Sequence, residues 1–173
     1  MVAAAGWEWQ KPETAKALAR LAVDESGIGV YEDKVHKIGN KIRGTLRDSL
    51  GVQTCGLVKE DKEKGLRIFA KPIGVVATIV PCTNPESTVC CLGLSLLKTR
   101  NAMIVSPHPR TKGSTNLTVE HGRKALAKIG APADLMQCLE DENRCFRAEV
   151  RARSKVLSCK EILIQGDPPS CKV

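Results

Sequence analysis

Ile73-Gly74-Val75-Val76-Ala77-Thr78-Ile79-Val80 runs directly into Pro81-Cys82-Thr83-Asn84-Pro85. The first run is apolar nearly throughout and rich in β-branched residues. Such a run suits a parallel strand buried on both faces, because helices cover both sides of a parallel sheet. Pro81 to Pro85 make a loop. Glu86 to Thr99 reads as a helix, with Ser87 or Thr88 near its start and Lys98 and Arg100 at its end, where cations suit the helix dipole. Ala102 to Ser106 is a second short apolar strand. Pro107 to Gly113 is another loop, and Ser114 to Ile129 another helix, stopped by Gly130 with Pro132 two residues on. Leu135 to Leu139 reads as a third strand. The order β-α-β-α-β with short loops is half of a doubly wound sheet.

Toward the N-terminus, Leu66 to Lys71 and Thr54 to Lys59 read as strands. The charged stretch Glu60 to Gly65 joins them, which makes a hairpin with a polar tip. Before it, Glu32 to Leu50 is a helix, with Val35, Ile38, Ile42, Leu46 and Leu50 at three- and four-residue steps on one face. Residues 12 to 26 form an earlier helix. Pro12 suits its first turn, Leu18, Leu21, Ala22 and Glu25 make one stripe, and Gly27 and Gly29 break it.

Toward the C-terminus the pattern fades. From Asn143 to Val173 there are seven basic residues against three acidic ones, half of the net charge of +8. Strand signals are weak there, at Val156–Leu157 and Ile162–Ile164. The organisation expected is therefore α/β. N-terminal helices occupy 1–53, a β-hairpin 54–72, a partial Rossmann-like parallel βαβαβ half 73–142, and an unpatterned, irregular basic tail 143–173. A sheet ending after three strands would leave an unpaired edge that invites association, and half a cofactor domain would leave apolar faces that the missing half should cover, so marginal stability is expected.

Composition narrows the function classes. The chain has 173 residues, 42% of them apolar, enough for one folded domain. The basic excess reads as a solvated surface; nucleic-acid binding through the Arg-rich tail rests on charge alone. Eight cysteines occur with no C-x-x-C spacing and only three His, which argues against zinc. They read as reduced thiols, which places the protein in the cytoplasm. Met1 to Gln10 has no secretory pattern, and no apolar run reaches the ~20 residues of a membrane span.

Ligands of a doubly wound sheet sit at the carboxyl ends of its strands. Those ends are the loops Pro81–Pro85 and Ser106–Gly113. In the second, His108, Arg110 and Lys112 gather positive charge beside a helix N-terminus whose free backbone N–H groups suit a phosphate or ribose. No G-x-G-x-x-G occurs. In the first, Thr83 and Asn84 offer hydrogen bonds. Cys82 reads as an inert thiol, since no His or carboxylate near it in sequence would activate it. His36 and His121 lie on helices and read as solvent-facing.

The stretches Leu21–Val35, Lys71–Val75 with Ile79–Pro85, Leu97–Ala102, Ser106–Arg110 and Gly130–Pro132 follow one another in a familiar order. Together, from about Lys16 to Glu140, they resemble the acylating (CoA-dependent) aldehyde dehydrogenases. The likeness is to the aldehyde dehydrogenase half of bifunctional aldehyde–alcohol dehydrogenases and to sulfoacetaldehyde-type enzymes. The resemblance implies an NAD or NADP cofactor, with CoA as co-substrate of the full-length family. It places Pro81, Cys82, Thr83 and Asn84 under the nicotinamide side of the cofactor. Ser106, His108, Pro109 and Arg110 match the segment that holds the adenosine ribose, and Gly130 and Ala131 the turn near the adenine. Asn84 or Thr83 stands where the wider superfamily has an oxyanion-stabilising Asn. The family's nucleophilic cysteine lies downstream in a separate catalytic domain and has no counterpart here, so no catalytic residue is assigned. The start reads as clipped, and the resemblance is expected to stop after Glu140. The expected function is that of a truncated NAD(P)-binding portion, inactive alone. The alternative is an interaction module that pairs with itself or a full-length homologue through the hairpin Thr54–Lys71, the element this superfamily uses in subunit contacts.

Overall fold

The computed structural model describes residues 1–139 and the strand 159–164. Helix α1 (Val2–Gln10) comes first, and the sequence pattern did not predict it. Ala-rich chain forms helix readily, but α1 has little amphipathic contrast to read. It ends because Lys11 precedes Pro12, which pushes Lys11 out of the helical region, to φ −56°, ψ 133°. Pro12 then starts α2 (Pro12–Ser26), and Gly27, at φ +66°, closes it with its N–H on the Val23 carbonyl. Helix α3 spans Tyr31–Ser49. Of its expected stripe, Ile38 and Ile42 are fully buried and Val35 and Leu46 partly so. Leu50 falls beyond the last helical turn and is exposed.

The hairpin pairs β1 (Gly56–Asp61) with β2 (Leu66–Ala70), Asp61 opposite Leu66, with an irregularity between Leu57 and Lys59. Arg67 and Glu60 form an ion pair across it at 2.7 Å. Beyond it come β3 (Val75–Ile79), α4 (Pro85–Lys98), β4 (Ala102–Ser106), a 3-10 turn (Pro109–Thr111), α5 (Lys112–Lys128), β5 (Met136–Cys138) and β6 (Cys159–Ile164). The second sheet has the order β5-β4-β3-β6, and every pair in it is parallel.

Strand β6 corrects two expectations. The tail 143–173 is not wholly irregular, and the sheet does not stop after three strands. The outer edge of β3 offers a row of backbone donors and acceptors, and Cys159–Ile164 pairs with it, Ile79 opposite Ile164. The chain moves outward from β3 through β4 to β5, then returns to the far side of β3. The strand order therefore reverses between β3 and β6.

The main core lies between the helices and one face of this sheet. It joins Trp9 of α1, Leu18 of α2, Ile38 and Ile42 of α3, Leu94 of α4 and Leu126 of α5 to Val76, Val80, Met103 and Met136 of the strands. Trp9 sits in a slot that two glycines create. A Cβ on Gly93 would lie 3.1 Å from its indole, and one on Gly122 only 2.7 Å away. The Trp9 indole N–H donates to the Thr118 carbonyl at 2.9 Å. Beside it, Glu8 collects Lys11 at 2.9 Å, Lys128 at 3.2 Å and His121 at 3.5 Å, tying α1 to α5. His121 is thus half-buried against a carboxylate rather than solvent-facing, whereas His36 is exposed as expected. Among the described residues no helix is long and apolar enough to cross a membrane.

Candidate functional site

β3 and β4 run in register, Ile79 opposite Ser106, so the loops that follow them emerge side by side. The Val80 N–H donates to the Ser106 carbonyl at 3.0 Å and couples the two loops. The start of β3 is fixed by Asn101, whose side-chain oxygen accepts from the Ile73 and Gly74 N–H groups at 2.7 and 2.9 Å. The carboxyl edge of β3 is also where the strand order turns, and ligands of such sheets lie in the crevice at that point. Pro81, Cys82, Thr83, Asn84, Ser106, His108, Pro109 and Arg110 all gather along this edge.

Gly130 and Ala131 do not join them. They precede β5, which is parallel to β4, so they lie at the opposite, amino-terminal edge of the sheet. Their backbone serves the end of α5: Gly130, at φ +69°, donates to the Ala127 carbonyl and Ala131 to that of Leu126, both at 3.0 Å. That pairing is a Schellman cap, which satisfies carbonyls the helix end would otherwise leave open.

The first loop is held from below by α3. Lys34, 4% exposed, donates to the Thr83 carbonyl at 3.0 Å. One turn further along α3, Lys37 donates to the Asn84 side-chain oxygen. Asn84 is the N-cap position of α4, and Pro85 begins the helix. Glu86, in the first turn where the dipole favours a negative charge, is fully buried and faces Lys34 at 3.8 Å. One of its oxygens accepts from Ser87 at 3.2 Å, and the other has no partner among the described residues. Burial holds the Lys37 ammonium below its usual range, and the Glu86 charge opposes that shift. Lys34, Lys37 and Glu86 were missed in the sequence, because charges on a helical stripe read as solvated.

The second loop departs from expectation. The first N–H groups of α5 are not free for a phosphate. Glu25, near the end of α2, accepts from the Gly113 and Ser114 N–H groups with its two carboxylate oxygens, at 2.8 and 2.9 Å. A side chain from another helix has taken the place an anion would take. The signal was present, since Glu25 closes the inward stripe of α2. Arg110 donates to the Ser26 carbonyl, so α2 and the second loop are belted together twice. The His108 Nδ1 accepts the Arg110 N–H at 3.1 Å. A neutral imidazole accepting at Nδ1 carries its proton on Nε2, which makes His108 a donor at its other nitrogen.

Among the described residues, Cys55, Cys82, Cys90 and Cys91 are free thiols. Burial, then Cys91 and Glu86, push the Cys90 thiol well above its ordinary range. A thiolate is the reactive form, so Cys90 is inert. Half-buried Cys82 forms no hydrogen bond or ion pair among the described residues.

A sulfoacetaldehyde dehydrogenase from an Acholeplasma species is 39% identical over 169 residues, covering 98% of this chain and 34% of that protein. The chain is a homologue of the acylating aldehyde dehydrogenases. It matches their N-terminal part and spans about a third of the length of the curated relatives it resembles. Because that alignment covers nearly the whole chain, the similarity to this family does not stop at Glu140 as expected. Two solved enzyme structures share the fold. An engineered glycolyl-CoA reductase with bound NADP+ superposes with a TM-score of 0.77 at 26% identity, over 96% of this chain and 36% of that one. A propionaldehyde dehydrogenase from Rhodopseudomonas palustris, with bound CoA and an acylated cysteine, gives 0.76 at 26% identity, over 96% and 37%. No family model matches the chain.

Proposed function

We propose that this chain provides the nicotinamide-dinucleotide-binding face of an acylating aldehyde dehydrogenase and does not by itself oxidise aldehydes. The observation that carries the reading is the meeting of two loops at the carboxyl edge of β3 and β4, where the strand order reverses beside β6. The groups there suit a polyhydroxylated, anionic ligand. His108 donates from Nε2, Arg110 has guanidinium N–H groups beyond the one spent on Ser26, and the Asn84 NH2 faces away from α3. NAD or NADP would be held by Pro81, Cys82, Thr83 and Asn84 at its nicotinamide end and by Ser106, His108, Pro109 and Arg110 along its adenosine ribose. Gly130 and Ala131 are left with the capping role. When bound, the cofactor accepts a hydride. The chain's own residues bind and orient it, and Asn84 or Thr83 would offer hydrogen bonds to a substrate oxygen. CoA would be the co-substrate of the complete enzyme, and the cytoplasm its compartment.

The test is a calorimetric titration of the 173-residue chain with NAD+ and NADP+, beside an assay of CoA-dependent aldehyde oxidation. Saturable binding without turnover is expected, with His108→Ala and Arg110→Ala each weakening it. Turnover would make one of these cysteines a nucleophile and overturn the reading; no binding to either nucleotide would remove its cofactor half.

A second reading, an interaction module, is favoured by one observation. Leu57, Val58, Leu66, Ile68 and Phe69 of the hairpin are 43–57% exposed. Apolar side chains clustered in this way mark an association surface. Concentration-dependent self-association of the chain, lost in Phe69→Ser, would support pairing through Thr54–Lys71 with a second copy or a longer homologue.

A further inference from the structure

We propose that Lys37 is a positioning residue that fixes the Asn84 carboxamide with its NH2 turned away from α3, toward the ligand side of the strand-end loop. The inference rests on the cofactor reading for what that NH2 would meet, but its geometry stands apart from it. An ammonium can only donate, so the Asn84 atom facing Lys37 Nζ must be the carbonyl oxygen. The amide group is planar, so its nitrogen is then directed to the other side. Among the described residues the nitrogen there has only a contact with the Thr83 hydroxyl, at 3.5 Å. That is a long hydrogen bond, and the NH2 has a second proton to give. Without Lys37 the two ends of the carboxamide are nearly isosteric and the group can flip.

Three further features fix the arrangement. Lys34 holds the carbonyl of the preceding residue, Thr83, from the same face of α3. The backbone of Asn84 is engaged as well, because its carbonyl accepts the Thr88 N–H at 3.1 Å. Buried Glu86 pairs with Lys34 at 3.8 Å, and its charge opposes the burial that lowers the Lys37 ammonium. The loop is thus anchored to α3 at two successive residues, one through the backbone and one through the side chain.

The experiment is a two-dimensional 1H–15N spectrum of the side-chain amides of the full chain, with the Asn84 pair assigned by its loss in Asn84→Asp. In Lys37→Met the Asn84 side-chain pair should move toward its free-amide position, while backbone amides of β3 and α4 stay in place. Lys37→Arg should restore it. Lys37→Gln, which keeps a donor without the charge, should restore it in part and guards against a folding defect in the Met variant. An Asn84 pair that does not respond to Lys37→Met, or that moves only with the whole backbone spectrum, overturns the proposal. A parallel NADP+ titration separates the two ideas. Binding weakened roughly 2- to 10-fold in Lys37→Met, the effect of one hydrogen bond, and kept in Lys37→Arg supports both. No nucleotide binding in the wild-type chain, with the Asn84 pair still answering to Lys37, removes the cofactor reading and leaves the positioning role in place.

Discussion

Gly122→Ala adds one methyl group at the most crowded point of the core. Its Cβ would stand 2.7 Å from Trp9 Cζ2, 2.9 Å from Met136 Sδ and 3.3 Å from Met136 Cε. Both neighbours are fully buried. The Met136 side chain can adjust, since methionine is flexible. The indole cannot move easily, because its N–H is tied to the Thr118 carbonyl one turn earlier on α5. Overpacking of this kind costs about 1–3 kcal/mol. Against it stands the helix preference of Ala over Gly, about 1 kcal/mol. The net expectation is a loss of up to about 2 kcal/mol, or a melting point lower by up to about 8 °C for a chain of this size. Gly44→Ala is the control. It lies inside α3, and a Cβ there meets nothing within 4 Å. Only the propensity gain remains, so that variant should be more stable by about 0.5–1 kcal/mol. Urea unfolding followed by tryptophan fluorescence reads both, in a Trp7→Phe background that removes the exposed indole. If Gly122→Ala proved as stabilising as Gly44→Ala, the packed slot around Trp9 would not exist as described.

Two other perturbations test the helix contacts. Lys11 first, with Lys128 and His121, lowers the Glu8 carboxyl from 4.5 to about 2, against burial, which raises it. A folded value below the unfolded one gives stability that is present above pH 4.5 and fades as pH falls through about 2. The shift corresponds to about 3 kcal/mol, reduced by solvent screening of the exposed lysines. Glu8→Gln should therefore cost about 1–3 kcal/mol at pH 7 in urea unfolding, and the gap to wild type should close between pH 4.5 and 2; a gap independent of pH would contradict the assignment. Glu25→Ala removes two charge-assisted caps from α5 and leaves their N–H groups to solvent. It should cost about 1–3 kcal/mol, and amide hydrogen exchange at Gly113 and Ser114 should accelerate; unchanged protection there would mean the cap is not formed in solution.

The parallel half-sheet was legible because its signal is local. β-branched runs, a Pro-closed loop and a Gly-stopped helix each sit within a few neighbouring residues, and β4 matches its expected bounds of Ala102–Ser106. The site edge followed from topology alone. What escaped depends on partners far along the chain. Glu25 meets Gly113 and Ser114 only once α2 packs beside α5, and its carboxylate then occupies the anion cradle that the helix start advertises. Lys34 and Glu86 are polar letters in buried positions, and no period distinguishes them from solvated charges. Helix α1 has few polar residues to mark a face. Strand β6 follows a long charged stretch that hides its pairing with β3.

The place of β3 between β4 and β6 has a consequence for how the fold assembles. β3 meets β4, and β4 meets β5, across short connections, but the other neighbour of β3 arrives roughly eighty residues later, and closing a loop of that length costs more entropy than the short crossovers do. β3, α4, β4, α5 and β5 should therefore associate first, with one edge of β3 open. During synthesis that edge is paired only once β6 has emerged, and until then it is a place where two nascent chains would join.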